Sequence, residues 1–351
     1  MVWVSLLLLT ACQSAGDVTP VSSSSTVHVV STTLANVTTT TTQSGRPSTE
    51  RFSIPVGDEG ITYQLDGEPP SGPSSFVVLD DGSVVIADTM ASNRGEPRLL
   101  HYDRTGEQIA IFDLAAEGVA SIADVVSNGA SLAILDIRIE MEEYRVLFLS
   151  LEGDVLSEVQ IPDGFRFEDG LTGLAWDDSG VLLEFEFGAS YARLGDDGTI
   201  EQDAMAVFDG LEIEITPGDG QQTDIRVGEE TWTVERDTPL GGASFVGLSP
   251  DETLVLVVDE VDTSGAAFEV LRRVQRFSLT GELQSESLID PGEQKVEIMR
   301  PLELAADGEV LYLASLDDRL EVTPEPFDTS TTLSAAASWR QRQEAKASVS
   351  Q

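Results

Sequence analysis

The feature that most constrains this chain is a hairpin that keeps returning. Phe76-Val77-Val78-Leu79 runs into Asp80-Asp81-Gly82 and out through Val84-Val85-Ile86-Ala87, two β runs joined by an Asp-Gly turn. The figure recurs at Ser127-Asn128-Gly129, at Asp177-Asp178-Ser179-Gly180, at Ser249-Pro250-Asp251 and at Ala306-Asp307-Gly308, each flanked by apolar runs such as Leu132-Ala133-Ile134-Leu135. A second set of turns interleaves with the first: Thr105-Gly106, Glu152-Gly153, Asp197-Gly198 and Thr280-Gly281. Each unit therefore holds four short strands and two tight turns and repeats about every 40–50 residues, the period of propeller blades.

The spacing predicts an all-β fold, a single β-propeller of six four-stranded blades over residues 51–327. Between Gly198 and Gly281 the gap spans about two periods, which places one blade at 204–237 around Leu211-Glu212-Ile213-Glu214-Ile215 and Thr231-Trp232-Thr233-Val234. The last unit, 298–327, shows only three strands. Residues 51–65 carry two spare β runs, Phe52-Ser53-Ile54 and Ile61-Thr62-Tyr63-Gln64-Leu65. One of them is predicted to supply the missing outer strand and close the ring, removing the open sheet edges of a linear array. A pair of β-sandwiches and a seven-bladed ring are the alternatives.

The N-terminus is of another kind. Residues 1–11 contain the apolar run Val2-Trp3-Val4-Ser5-Leu6-Leu7-Leu8-Leu9-Thr10-Ala11, too short to span a bilayer and suited to a signal peptide. It leads into the chain's single cysteine, Cys12. Leu9-Thr10-Ala11-Cys12 resembles the bacterial lipobox, which implies a Cys12 lipidated before cleavage and held to a membrane by its acyl chains. No Lys or Arg precedes the apolar run, a departure from the usual signal peptide. Residues 13–50 are rich in Ser and Thr, with little to bury, and read as a stalk of about 35 Å r.m.s. reach if they behave as a coil. The tail 328–351 returns to Ser, Thr and Ala and reads as disordered. Together these features predict export, with the chain anchored on the outer side of a bacterial cytoplasmic membrane or in an outer membrane.

The first blade resembles an NHL-type repeat. Leu79-Asp80-Asp81-Gly82-Ser83-Val84-Val85-Ile86-Ala87-Asp88-Thr89, the Asn93-Arg94 step and Leu100-His101-Tyr102-Asp103-Arg104-Thr105-Gly106 carry the likeness, which is degenerate in the other blades. It implies a propeller and no single function, since that family hosts ligand binders, scaffolds and enzymes.

Charge and composition narrow the chemistry. With 62 acidic against 20 basic residues the formal net charge is -42, a surface that repels nucleic acid and anionic headgroups. One cysteine allows no internal disulfide and no thiolate metal cluster. Only two histidines occur; His28 lies in the stalk, and His101, alone in the domain, is read as a half-buried strand residue. Neither a Ser-His-Asp triad nor a multi-His zinc site is available. What remains is carboxylates: Asp88, Glu140, Glu142, Glu143, Asp163, Asp169, Asp259, Glu260 and Asp262 fall at loops predicted to share one face around the channel. Gly67-Glu68-Pro69-Pro70 and Leu248-Ser249-Pro250-Asp251 resemble loops of gluconolactonase-type propellers. That resemblance implies a Ca²⁺ ion on the axis, with Asp88, Asp259 and Glu68 as its candidate ligands. Two functions stay open: a displayed binding or scaffold module for an envelope protein or small ligand, with no cofactor, or a divalent-metal-dependent hydrolase or lactonase.

Overall fold

The computed structural model describes residues 52–325, apart from 58–59, 64, 66–71, 89–96, 139–140, 142, 167–168, 219, 239–240, 263–268, 290–293 and 297. Cys12, the stalk, Glu68, Asn93, Arg94, Glu140, Glu142 and the tail lie outside the described residues, as does the side chain of Asp262. No helix among the described residues is long and apolar enough to cross a membrane.

Six four-stranded antiparallel sheets follow one another along the chain. Blade 1 is β2 (Phe76–Val78), β3 (Val84–Asp88), β4 (Arg98–Tyr102) and β5 (Gln108–Asp113), numbered from the channel outward. Blade 2 is β6 (Ile122–Ser127), β7 (Ser131–Arg138), β8 (Glu143–Ser150) and β9 (Val155–Ile161). Blade 3 is β10 (Leu171–Asp177), β11 (Gly180–Phe185), β12 (Ser190–Leu194) and β13 (Ile200–Glu201). Blade 4 is β14 (Ala206–Phe208), β15 (Leu211–Pro217), β16 (Gln222–Val227) and β17 (Glu230–Glu235), inside the interval where the spacing placed a hidden blade. Blade 5 is β18 (Ala243–Leu248), β19 (Thr253–Asp262), β20 (Glu269–Ser278) and β21 (Leu283–Ile289).

Blade 6 closes the ring. Its β22 (Leu302–Leu304), β23 (Val310–Ser315) and β24 (Arg319–Pro324) are completed by β1 (Phe52–Pro55), which pairs antiparallel with β24, Phe52 opposite Val322 and Ile54 opposite Leu320. Of the two spare runs, the first is the closing strand. Ile61 instead makes an isolated parallel bridge to Val56.

Burial explains why these runs are apolar. A blade inside the ring is covered on both faces, so its second strand need not alternate: all five residues of β3 are buried. The core is accordingly a ring of interfaces. Separate apolar clusters join blades 6 and 1, 1 and 2, 2 and 3, 4 and 5, and 5 and 6. Among the described residues none joins blades 3 and 4. There β15 keeps the strict alternation of its sequence, with Ile213 and Ile215 buried toward blade 5 and Glu212 and Glu214 exposed.

The second set of turns fixes how neighbouring blades meet. Gly106, at φ +86°, lies against the ring of Phe52 on the closing strand, where an added Cβ would stand 2.7 Å from it. Gly281, at φ +84°, lies in the same way against Trp232 of blade 4. Glycine is needed there for the backbone conformation and for the close approach together.

If β1 closes the ring, its loss must be felt by the whole domain. Deleting residues 52–55 is expected to lower the entire melt as one cooperative transition, followed by near-ultraviolet circular dichroism; an unchanged melt would refute closure. Ile54→Ala, at a position 1% exposed, is expected to cost about 2–5 kcal/mol in urea unfolding.

Candidate functional site

Most of the second strands end in a polar side chain, and its partners show what it does. Asp88 closes β3 directly opposite Arg98. Arg98 Nε donates to Asp88 Oδ2 at 2.9 Å and its Nη2 to the Gly60 carbonyl at 2.7 Å, while the Thr62 N–H donates to Asp88 Oδ1 at 3.2 Å. Blade 2 repeats the device. Arg145 Nε donates to Asp136 Oδ2 at 2.8 Å, and the Ala120 and Ser121 N–H groups donate to Asp136 Oδ1 at 2.8 and 3.2 Å. In blade 5 Arg273 meets Glu260, and the Val261 N–H donates to Thr238 Oγ1 at 3.0 Å. In blade 6 Ser315 Oγ accepts the Lys295 and Val296 N–H groups, both at 3.1 Å. In each case the groups captured belong to the loop that brings the chain into that same blade. Burial pushes the Asp88 carboxyl upward, against the pull of Arg98 and the Thr62 N–H.

The residues expected to hold a metal are placed as follows. Asp88 is fully buried on blade 1 beside Arg98. Asp259, on blade 5, faces Arg272 with both oxygens, at 2.7 and 2.6 Å. The cation beside each in this structure is an arginine. Glu143 pairs with Arg138 at 3.3 Å, Asp163 pairs with Arg166, and Asp169 accepts the Arg166 N–H at 3.0 Å. No group of three or more metal-ligating side chains occurs among the described residues. His101 sits on β4 with its Nε2 2.9 Å from Ser83 Oγ, and burial holds its pKa down.

The channel holds a cluster that sequence reasoning missed. Arg300, at the entrance to blade 6, reaches Asp124 on β6 with Nε at 3.1 Å and Glu184 on β11 with Nη2 at 2.5 Å. Inner strands of successive blades are neighbours around the ring, so blade 6 stands opposite blade 3 and this contact crosses the axis. β-Bulges position the partners: the register of β6 shifts between Ile122 and Asp124, and that of β10 between Leu171 and Gly173, and such bulges re-aim side chains. Gly173 leaves the space for the pair, since a Cβ there would stand 2.5 Å from Asp124 Oδ2. Asp124 Oδ2 also accepts the Leu174 N–H at 2.8 Å, and Ser75 Oγ accepts the Val125 N–H at 3.0 Å, so blades 1, 2 and 3 are stitched in sequence around the channel. Burial raises the Asp124 pKa despite Arg300. It pushes Glu303, on β22, up to about 8, Arg300 opposing and Asp124 and Glu184 adding to the rise. Burial also opposes the Arg300 charge, but Asp124 and Glu184 outweigh it and hold the guanidinium protonated. One signal was available in the sequence: Asp124 interrupts the apolar run of an inner strand, Ile122-Ala123-Asp124-Val125-Val126.

A second feature lies where the apolar ring is interrupted. A cavity of about 540 Å³ opens among the hairpin turns of blades 2 to 5, lined by Asn128, Trp176, Asp178, Phe208, Asp209 and Leu248 among others. Polar contacts replace hydrophobic ones across this seam. Arg193 grips Asp177 with two bonds, at 2.7 and 2.8 Å, and the Val207 N–H donates to Asp177 Oδ2 at 3.0 Å. Asp178 accepts the Asp209 and Gly210 N–H groups at 3.1 and 2.7 Å. Arg193 balances Asp177, whereas Asp178 and Asp209 have no cationic partner among the described residues.

No protein-family model matches the chain, and no curated protein matches it. Several solved structures are similar at low identity. A putative 6-phosphogluconolactonase from Bacteroides uniformis is 15% identical over 80% of this chain and 96% of its own, with a TM-score of 0.40. A luciferin-regenerating enzyme is 12% identical over 72% and 91%, with a TM-score of 0.41. The β-propeller domain of the Trilobed protease from Pyrococcus furiosus is 10% identical over 80% and 97%, with a TM-score of 0.39.

Two stability measurements test these assignments. Asp136→Ala removes the buried carboxylate that Arg145 pairs with, leaving it Glu158 as its acidic partner, and strips the Ala120 and Ser121 N–H groups of their acceptor, so it is expected to cost about 3 kcal/mol in urea unfolding, whereas Asp259→Asn, in a partly exposed pair, is expected to cost about 1 kcal/mol or less. For Glu303 the folded pKa of about 8 lies above the ordinary 4.5. Between those values the folded state binds the extra proton, so the Glu303 contribution to stability is full below pH 4.5 and falls away as pH rises toward 8. Glu303→Gln is therefore expected to gain stability relative to the parent as pH rises from 5 to 8; parallel pH profiles would refute the assignment.

Proposed function

We propose that this chain is an exported, lipid-anchored binding module. In this reading Cys12 carries the acyl chains, residues 13–50 form the spacer, and an NHL-like propeller presents a face to an envelope protein or a small ligand. The observation that supports binding is how the carboxylates are used. Those buried at strand ends and on the axis, such as Asp88, Asp136 and Asp124, are committed to arginines and backbone N–H groups. The seam between blades 3 and 4 instead turns aromatic and acidic groups toward an open cavity. Concave places with a few convergent polar groups are common ligand sites. A chain of net charge -42 selects against nucleic acid as that ligand.

Two experiments test the proposal. Wild-type protein is expected to incorporate labelled fatty acid and to fractionate with membranes, and Cys12→Ser to lose both; a wild type that never takes up the label removes the anchor from the reading. Purified protein is expected to show no saturable rise in melting temperature with Ca²⁺ at fixed ionic strength. A saturable rise that is lost in Asp88→Asn or Asp259→Asn would replace the binding module with the metal-dependent hydrolase.

A further inference from the structure

The cavity at the seam between blades 3 and 4 has the chemistry of a site for a basic side chain. Its walls include Trp176 and Phe208, both partly exposed, and both rings are held in place from behind. Trp176 stands edge-on to Phe148 with centroids 6.0 Å apart, and Phe208 lies 4.7 Å from Phe245. Fixed aromatic faces attract cations, and guanidinium groups in particular. The same lining includes Asp178 and Asp209. Each Asp178 oxygen takes one backbone N–H, which fixes the carboxylate while leaving further lone pairs available. Asp209 is exposed at φ +50° in the turn after β14. Arg193, on β12, is engaged by Asp177 and the Met205 carbonyl, and Arg226 by Glu212 and Glu214.

We propose that this cavity binds an arginine-bearing peptide segment of a partner protein, one guanidinium lying between Trp176 and Phe208 and pairing with Asp178 and Asp209. The proposal rests on the binding-module reading and names the partner class for it. Several observations favour a peptide over a lone small cation. The cavity is lined from four successive blades, is larger than one guanidinium needs, and is open to solvent.

The test is calorimetric titration of the full chain, at 0.15 M NaCl, with the capped peptide Gly-Arg-Gly-Arg-Gly. Its citrulline counterpart, of the same shape without the charge, is the control. Saturable one-to-one binding of the arginine peptide alone is expected. Asp209→Asn keeps a residue that tolerates positive φ, so it is expected to fold normally and to weaken binding about tenfold. Asp154→Asn, an exposed acid in the third turn of blade 2, is expected to leave binding unchanged. Equal weakening by both variants would mean diffuse attraction to the acidic surface and would overturn the proposal. So would binding that appears only after residues 328–351 are removed, since that would assign the cavity to the chain's own Arg340 or Arg342. If the peptide fails to bind and Ca²⁺ gives no saturable stabilisation, this site is wrong and the binding-module reading stands. If Ca²⁺ does stabilise saturably, the reading itself falls.

Discussion

Four blades of this propeller, 1, 2, 5 and 6, share one device for holding the chain where it enters the ring. An entering loop brings backbone N–H and carbonyl groups into a region closed off by two neighbouring blades, and such groups are costly when buried without partners. The end of the second strand supplies those partners. Asp136 takes two loop N–H groups while Arg145 neutralises it and donates to the Glu117 carbonyl at 2.8 Å. Asp88 and Arg98 do the same for the loop between β1 and β2. A buried ion pair by itself is a weak source of stability, because desolvation opposes the attraction. Here its value lies in the backbone it satisfies. Ser315 performs the task without charge, which shows that the requirement is for hydrogen bonds at that place and not for an ion pair as such.

The same reasoning explains the channel. Inner strands converge on the axis, where side chains from opposite blades meet. Three carboxylates and one guanidinium share that space, and the guanidinium reaches from blade 6 to blades 2 and 3. Arg300 thus does for the ring as a whole what the strand-end arginines do for single blades. It is a tethered cation, set among acids that would otherwise repel one another, and burial, with Asp124 and Glu184 adding to it, pushes the Glu303 carboxyl up to about 8.

The ring is not uniform. Apolar clusters bind five of its interfaces, while the sixth, between blades 3 and 4, is carried by Asp177, Arg193 and backbone hydrogen bonds. Without a buried apolar cluster among the described residues, this seam has the least apolar area to lose, so local opening is expected to begin there. The seam is also where rings and acids face outward. Binding surfaces are commonly drawn from the less tightly packed parts of a scaffold for this reason.

Much of this architecture is legible along the chain. Glycines and aspartates at the turns, spaced with the period of a blade, determine the six sheets, and Phe52-Ser53-Ile54 announces the closing strand because the last unit is one strand short. The alternation of Leu211-Glu212-Ile213-Glu214-Ile215 already says that one face of blade 4 meets water. The roles of the carboxylates are not legible in this way. That Arg98 faces Asp88 and Arg272 faces Asp259 is set by strand register and is not visible from either carboxylate's own neighbourhood. Arg300 is further from prediction still, since it meets Asp124 and Glu184 only after six blades have curved into a circle. The sequence by itself determined the repeat, the blades and their closure, which follow from local turn chemistry and burial. Only the tertiary structure decided which charges are neutralised and which face a ligand, because electrostatic pairing depends on distances that exist only once the ring has closed.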